Sequence, residues 1–155
     1  MYSKYKPYII SVLLTFIFAI LGGIVTYFGM PSYESVEKPF LTPPSYVFPI
    51  VWTVLFLLMA FGAALIFQSN SQNRSAALLI YAVQLTFNFW WTVFFFGLRA
   101  YLFSFIWLII LIVLVSAMIV SFYKINHTAG LLQIFYLIWL VFAAYLNFMV
   151  WFLNK

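Results

Sequence analysis

The sequence predicts an all-α membrane protein, a bundle of five transmembrane helices, and three observations predict it. First, 68% of the 155 residues are hydrophobic and only 6% are charged, against about 25% charged in a soluble domain. Second, the few charges divide the chain into long uncharged runs, each long enough for one bilayer-spanning helix of about 20 apolar residues. Third, stretches such as Phe105 to Val115 are apolar at every position, which excludes the strict alternation of a membrane β-barrel. Soluble enzymes, nucleic-acid binders and disordered scaffolds are excluded by the same composition. With no cysteine in the chain, disulfide frameworks, thiolate metal sites and cysteine nucleophiles are excluded as well. The net charge of +5 reads as the orientation signal of a membrane protein.

The elements follow in order from the charges. Helix one is expected at about 8–28, in the uncharged run between Lys6 and Glu34. Its apolar core exceeds the usual 7–15 residues of a signal peptide and no small-x-small cleavage site follows, so it reads as a span. A loop at 30–46 holds both acids, Glu34 and Glu37, with Pro31, Pro39, Pro43 and Pro44. Prolines fix φ and push the preceding residue to extended geometry, so this loop should be stiff. Helix two is expected at 47–67 and helix three at 76–97. The turn from Gly97 to Ala100 is so short that helices three and four, the latter at 101–123, must form an antiparallel hairpin. Helix five occupies 129–152. No repeat or soluble domain interrupts the chain, and residues 1–155 read as a single integral membrane domain. With five spans the termini lie on opposite sides. Lys4, Lys6, Arg74 and Lys124 gather on the N-terminal side, and Lys38, Arg99 and Lys155 on the other. The basic excess predicts a cytoplasmic N-terminus.

The usual catalytic constellations are missing. There is no paired intramembrane carboxylate, no metal-ligand cluster and no Gly-rich phosphate loop, so no catalytic acid–base residue and no metal ligand is assigned. Glu34 and Glu37 read as a solvated loop edge, and His127, the only histidine, as a loop residue. A proton-coupled transporter or pump carries an ionisable residue inside a span, and none is present. Asn73-Arg-Ser75 and Asn126-His-Thr128 match glycosylation sequons but fall on the predicted cytoplasmic side, and read as accidental.

What remains is aromatic and amide chemistry. Gln84, Asn88 and Thr92 recur every four residues on helix three, with Trp91 and Phe95 on or beside that face. Amides in hydrocarbon are costly unless hydrogen-bonded and should point into the bundle. On helix five, Trp139, Ala143, Leu146, Asn147 and Val150 form one stripe; on helix two, Phe48, Trp52 and Phe56 form another. Such stripes suit either bundle packing or the wall of a flat apolar pocket. Trp107 and Trp151 read as interface anchors or lipid-facing residues. Small residues, Gly22 and Gly23 in helix one and Ala60, Gly62, Ala63 and Ala64 in helix two, suit close helix contacts.

Three motifs then carry a family resemblance. The stretch YESVEKPFLTPPSYVFPIVWTVLF resembles the TspO/MBR loop WYxxLxKPxWxPP followed by FxxVWxxLY. TFNFWWTVFFFG resembles the family's LNxxWxxxFFG, and IFYLIWLVFAAYLN its PYxxWxxFAxxLN. The chain thus resembles the tryptophan-rich sensory proteins and the translocator, or peripheral benzodiazepine receptor, proteins. The resemblance implies a five-helix bundle, usually a homodimer, whose pocket near the first loop binds porphyrins such as protoporphyrin IX and synthetic aromatic ligands. No cofactor is required. Carried over position by position, the implied ligand-binding residues are Tyr33 and Pro44 in the loop, Phe48, Trp52 and Phe56 in helix two, Asn88 and Trp91 in helix three, and Trp139, Ala143 and Leu146 in helix five. Trp52 and Trp139 match the tryptophans linked to light-dependent porphyrin breakdown.

Three departures from the family pattern stand out. Ser32 and Leu41 replace loop tryptophans, so the lid loses two aromatic surfaces. Phe135 replaces the proline of helix five, which should leave that helix straighter. Phe148 and Phe152 break the sterol-contact pattern, so sterol transport is not implied. The leading expectation is a membrane protein that senses, sequesters or transports tetrapyrroles in a stress response. The alternatives are light-dependent porphyrin degradation through Trp52 and Trp139, and a regulatory membrane partner without ligand turnover. With no targeting segment, a bacterial cell membrane is the simpler setting.

Overall fold

A computed structural model describes the backbone of residues 2–155 and the side chains of residues 5–155; Met1 and the side chain of Lys4, one of the counted charges, lie outside the described residues. Each uncharged run supplies one span, and the described chain holds six α-helices: α1 (Tyr2–Glu34), α2 (Val47–Gln68), α3 (Arg74–Thr92), α4 (Tyr101–Ile125), α5 (His127–Leu132) and α6 (Ile134–Leu153). Five segments are long and apolar enough to cross a membrane, with α5 and α6 together making the fifth. The protein is an integral, multi-pass membrane protein. α1 packs along α2, while α4 packs between α3 and α6. α1 is the most exposed span, with Leu13, Ile17, Ile20 and Ile24 facing outward.

α1 is longer at both ends than the expected 8–28. Its 33 residues reach about 50 Å at 1.5 Å per residue, so it overshoots a hydrocarbon layer of about 30 Å. It passes through Pro7 and Pro31. A proline near a helix end costs little beyond one backbone hydrogen bond, and tertiary contacts outweigh that cost here. Gly29 lies directly on the backbone of Phe96, where any Cβ would overlap the carbonyl oxygen. One turn later Tyr33 is buried to 4% exposure between Phe48, Phe95 and Phe96. The proline-rich segment therefore starts after Glu34 and not at residue 30.

That shortened loop is pinned at several points. The Lys38 ammonium donates to the carbonyls of Glu34 (2.9 Å) and Val36 (3.1 Å), closing the C-terminus of α1. The Ser45 hydroxyl donates to the Glu34 carboxylate at 3.2 Å. Asn154, just past α6, accepts from the Glu37 N–H (3.0 Å) and donates to the Glu37 carbonyl (2.9 Å), pairing both backbone groups of one loop residue.

α3 does not end as an α-helix. From Val93 to Gly97 it widens into a π turn, with the Leu98 N–H bonded five residues back to Val93 at 2.9 Å. Arg99 then takes a left-handed φ of 54°, and α4 begins two residues later, completing the antiparallel hairpin. The fifth span is not the single straight helix that Phe135 led the sequence to predict. It breaks at Gln133, two residues before the position of the missing proline. Gln133 is fully buried, and its Nε2 donates to the carbonyls of Leu58 and Ala129, each at 3.3 Å. This side chain fits only because residue 62 of α2 is glycine, where a Cβ would collide with Gln133 Nε2. His127 lies not in a loop but in the first turn of α5, its ring stacked on Tyr123 at 4.4 Å. Asn126 is the N-cap, accepting from the Ala129 N–H at 3.0 Å, which is the physical use of that residue.

The contact at Gly62 gives the first prediction. Gly62→Ala should destabilise the protein by about 1–3 kcal/mol through overpacking, read as a lowered midpoint of thermal unfolding in detergent. In a Gln133→Ala background the same substitution should cost far less. Equal costs in the two backgrounds would show that the two side chains do not meet.

Candidate functional site

A chamber of about 540 Å³ opens inside the bundle, walled by α1, α2, α3 and α6 beneath the first loop. Of the ten residues assigned from the family motifs, it brings together nine: Tyr33, Phe48, Trp52, Phe56, Asn88, Trp91, Trp139, Ala143 and Leu146. Pro44 is the exception. Its carbonyl accepts from the Val47 N–H at 2.9 Å, making the turn that opens α2, and its ring sits on the exposed outside of the loop. Tyr33, expected in the loop, stands in the last turn of α1.

The walls are made of interlocked rings. Trp52 contacts Phe56 (5.7 Å between centroids), Trp91 (6.1 Å) and Tyr136 (6.2 Å). Trp91 stacks on Phe95 at 5.6 Å, and Phe48 meets Trp139 edge-on at 6.0 Å. Edge and offset contacts at these distances are favourable ring geometries. They hold each aromatic plane in place.

Behind the rings lies a polar lattice that carries the amides of Gln84, Asn88 and Asn147. The Asn88 amide donates to the Tyr136 hydroxyl at 2.8 Å, and that hydroxyl donates to Gln84 Oε1 at 2.9 Å. The Trp91 indole N–H donates to Asn147 Oδ1 at 3.1 Å. The same oxygen accepts from the Ser104 hydroxyl at 3.1 Å, while the Asn147 amide donates to the Tyr101 carbonyl at 2.8 Å. These bonds join α3 to α4 and α6. The predicted face of Gln84, Asn88 and Thr92 is buried as expected. Its first task is to hold helices together, and Asn88 does this while also bordering the void. One turn earlier on the same face of α3, Tyr81 is hydrogen-bonded to Thr15 of α1.

One polar atom at the wall has no partner: the buried Trp139 Nε1. A buried donor without an acceptor costs about 1–3 kcal/mol, and the chamber lies beside it. The site is therefore an aromatic-walled chamber, with the unpaired Trp139 donor buried behind its lining. Among the described residues, no three His, Cys, Asp or Glu side chains come close enough to share a metal ion.

Apart from Tyr33, the α1 wall was not assigned from the sequence. Ala19, Gly22, Gly23, Thr26 and Met30 border the chamber. Gly22 and Gly23 were expected to make close helix contacts, but a Cβ on Gly23 would meet nothing within 4 Å. The available signal was a stripe of small and polar residues, Thr15, Ala19, Gly22 and Thr26, at steps of three and four. Tyr136 was missed too, although it lies three residues before Trp139 on the same face. Trp107 is not a lipid-facing anchor: its indole N–H donates to the Phe87 carbonyl at 2.9 Å and its ring stacks on Phe87 at 4.4 Å, tying α4 to α3. Trp151 lies under the Lys155 ammonium, 5.5 Å from the ring centroid, at the end of α6.

A five-helix membrane bundle with a tryptophan-lined chamber under its first loop defines the class, and comparison with known proteins defines the family. The TspO/MBR family profile matches residues 11–152. The chain is 37% identical to protein CrtK of Rhodobacter capsulatus, over 79% of this chain and 78% of that protein. It is 36% identical to the tryptophan-rich sensory protein of Cereibacter sphaeroides, over 75% and 72%, and 30% identical to the human translocator protein, over 79% and 75%. The chain belongs to the TspO/MBR family.

The lattice behind the walls gives a second prediction. Tyr136→Phe strands both Gln84 Oε1 and the Asn88 amide, and should lower stability by about 1–2 kcal/mol. Gln84→Leu in the Tyr136→Phe background should recover part of the loss. Thermal unfolding in detergent reads both, and a Tyr136→Phe variant as stable as the parent would contradict the lattice.

Proposed function

We propose that the chamber binds a porphyrin or another flat aromatic molecule, and that the protein senses, sequesters or transports such ligands in its membrane. The single observation that supports this most is the void itself, about 540 Å³ and bordered by the rings of Phe48, Trp52, Trp91, Phe95, Phe96 and Trp139. A macrocycle supplies a broad apolar face for Trp52 and Trp91. The volume also falls in the range of about 300–1,000 Å³ usual for small-molecule sites. Two relatives are named as a sensory protein and a translocator protein, in keeping with recognition or passage of a ligand. The absence of the loop tryptophans at Ser32 and Leu41 leaves the chamber walls, and not the lid, as the main stacking surface.

We place the protein in a bacterial cell membrane as a homodimer with its N-terminus in the cytoplasm. Arg74 and Lys124 at the end of the bundle where α3 begins and α4 finishes support that orientation. The family resemblance supports the homodimer.

The test is a titration of purified protein with protoporphyrin IX in the dark, following tryptophan quenching and porphyrin absorbance. The parent should bind saturably, and Trp52→Phe/Trp139→Phe should bind roughly tenfold more weakly for the loss of two indole surfaces. No saturable binding by folded protein would overturn the ligand reading and favour a regulatory partner role. Loss of the porphyrin chromophore under light, abolished by Trp139→Phe with binding retained, would move the protein into the enzyme class.

A further inference from the structure

The chamber is sealed unevenly. Toward the loop, Tyr33 is wedged among Phe48, Phe95 and Phe96 at 4% exposure. The loop above it is strapped to α6 through Asn154 and Glu37 and to α1 through Ser45 and Lys38. Toward α3 and α6 the walls are closed by buried residues such as Asn88, Trp91 and Leu146. Between α1 and α2 the same chamber is bordered by residues that also face the outside of the bundle: Gly23 and Tyr27 on α1, and Tyr46, Pro49 and Thr53 at the start of α2. Tyr27 is 76% and Tyr46 68% exposed. Gly23 is itself exposed, and a Cβ there would meet nothing within 4 Å, so no side chain covers the rim at that level.

This slot lies within the membrane. Gly23 and Thr53 both fall inside spans, Tyr5–Glu34 and Val47–Gln68. The exposed neighbours of the rim are Ile20, Ile24, Ile50 and Val54, side chains suited to acyl chains and not to water. The Thr53 hydroxyl is occupied by the Pro49 carbonyl at 2.7 Å, so it adds no unpaired polar group to the opening.

We infer that the chamber is loaded sideways from the bilayer, through the slot between α1 and α2. Its ligands are then flat apolar molecules already dissolved in the lipid, and the strapped loop is a cover and not the way in. The inference rests on the proposal that the chamber binds such a ligand. It adds the route, and with the route a selection: a molecule that stays in water does not reach the site, however well it would stack.

The chain has no cysteine, so single cysteines report cleanly. In liposomes, Gly23→Cys or Thr53→Cys labelled with a bulky maleimide should slow association of protoporphyrin IX, followed by stopped-flow quenching, by about tenfold or more. The same label on Phe40→Cys, at a loop tip that is 100% exposed, should leave the rate within about twofold. Slowing by the loop label and not by the rim labels would overturn the lateral route, as would rates unaffected by all three. A spin label at Gly23→Cys supplies a ligand-independent reading. It should be relaxed by oxygen, which concentrates in lipid, and shielded from a water-soluble nickel chelate; the reverse pattern would overturn the slot. If unlabelled protein fails to bind protoporphyrin IX while the spin label reports lipid, the ligand proposal falls and the lipid-facing slot stands.

Discussion

A polar side chain carried into hydrocarbon on a helix has no water to bond, so another helix must answer it. On α3 this demand organises the bundle. Gln84, Asn88 and Trp91 project from one face, and each finds its partner on α2 or α6: Tyr136 joins the two amides, Asn147 takes the indole, and Met59 lies 3.7 Å from the Gln84 amide nitrogen. Asn147 in turn gathers Ser104 and the Tyr101 carbonyl of α4. These bonds are directional, so they fix rotation and register as well as proximity. In a bilayer the hydrophobic effect gives helices little reason to prefer one another, and such bonds together with close packing take over that role.

The chamber depends on this arrangement. Rings packed without an anchor would slide to fill a void, since an empty apolar space forfeits dispersion contacts on its lining. Trp91 is held by Asn147, and Tyr136 by Gln84 and Asn88. Trp52 leans on both rings, so α2 inherits its position from groups bonded on α3 and α6. Small residues work in the same direction. Gly29 lets α1 reach the Phe96 backbone, while Gly62 admits Gln133 where the fifth span breaks. The void survives because its walls are fastened from behind.

Much of this was legible in the sequence, for physical reasons. Charges are so costly in lipid that their positions mark the loops, which is why five spans could be counted. The four-residue recurrence of Gln84, Asn88 and Thr92 identified the inward face of α3 because polar groups there have nowhere else to go. Trp52 and Trp139 stood out as members of stripes and through family motifs. Other features were hidden. The extension of α1 past Pro31 is decided by the burial of Tyr33, which no local rule sees. The break at Gln133 depends on a glycine 71 positions away in sequence. The α1 wall was unreadable as a wall because glycine and alanine mark close helix contact and open space equally well. Trp107 was misjudged because a tryptophan in a span is ambiguous until its N–H finds a partner.

The indole N–H groups of the bundle are unlike: Trp91 donates to Asn147, Trp107 donates to the Phe87 carbonyl outside the void, and Trp139, whose ring borders the chamber, has no partner. The most direct measurement is the two-dimensional NMR spectrum of the six indole N–H groups in protein labelled with ¹⁵N-tryptophan and titrated with protoporphyrin IX in the dark. The expected result is a saturable shift of the Trp139 signal, assigned by Trp139→Phe, with the Trp107 signal unmoved. A Trp139 signal that stays in place while the porphyrin saturates the protein would contradict the account.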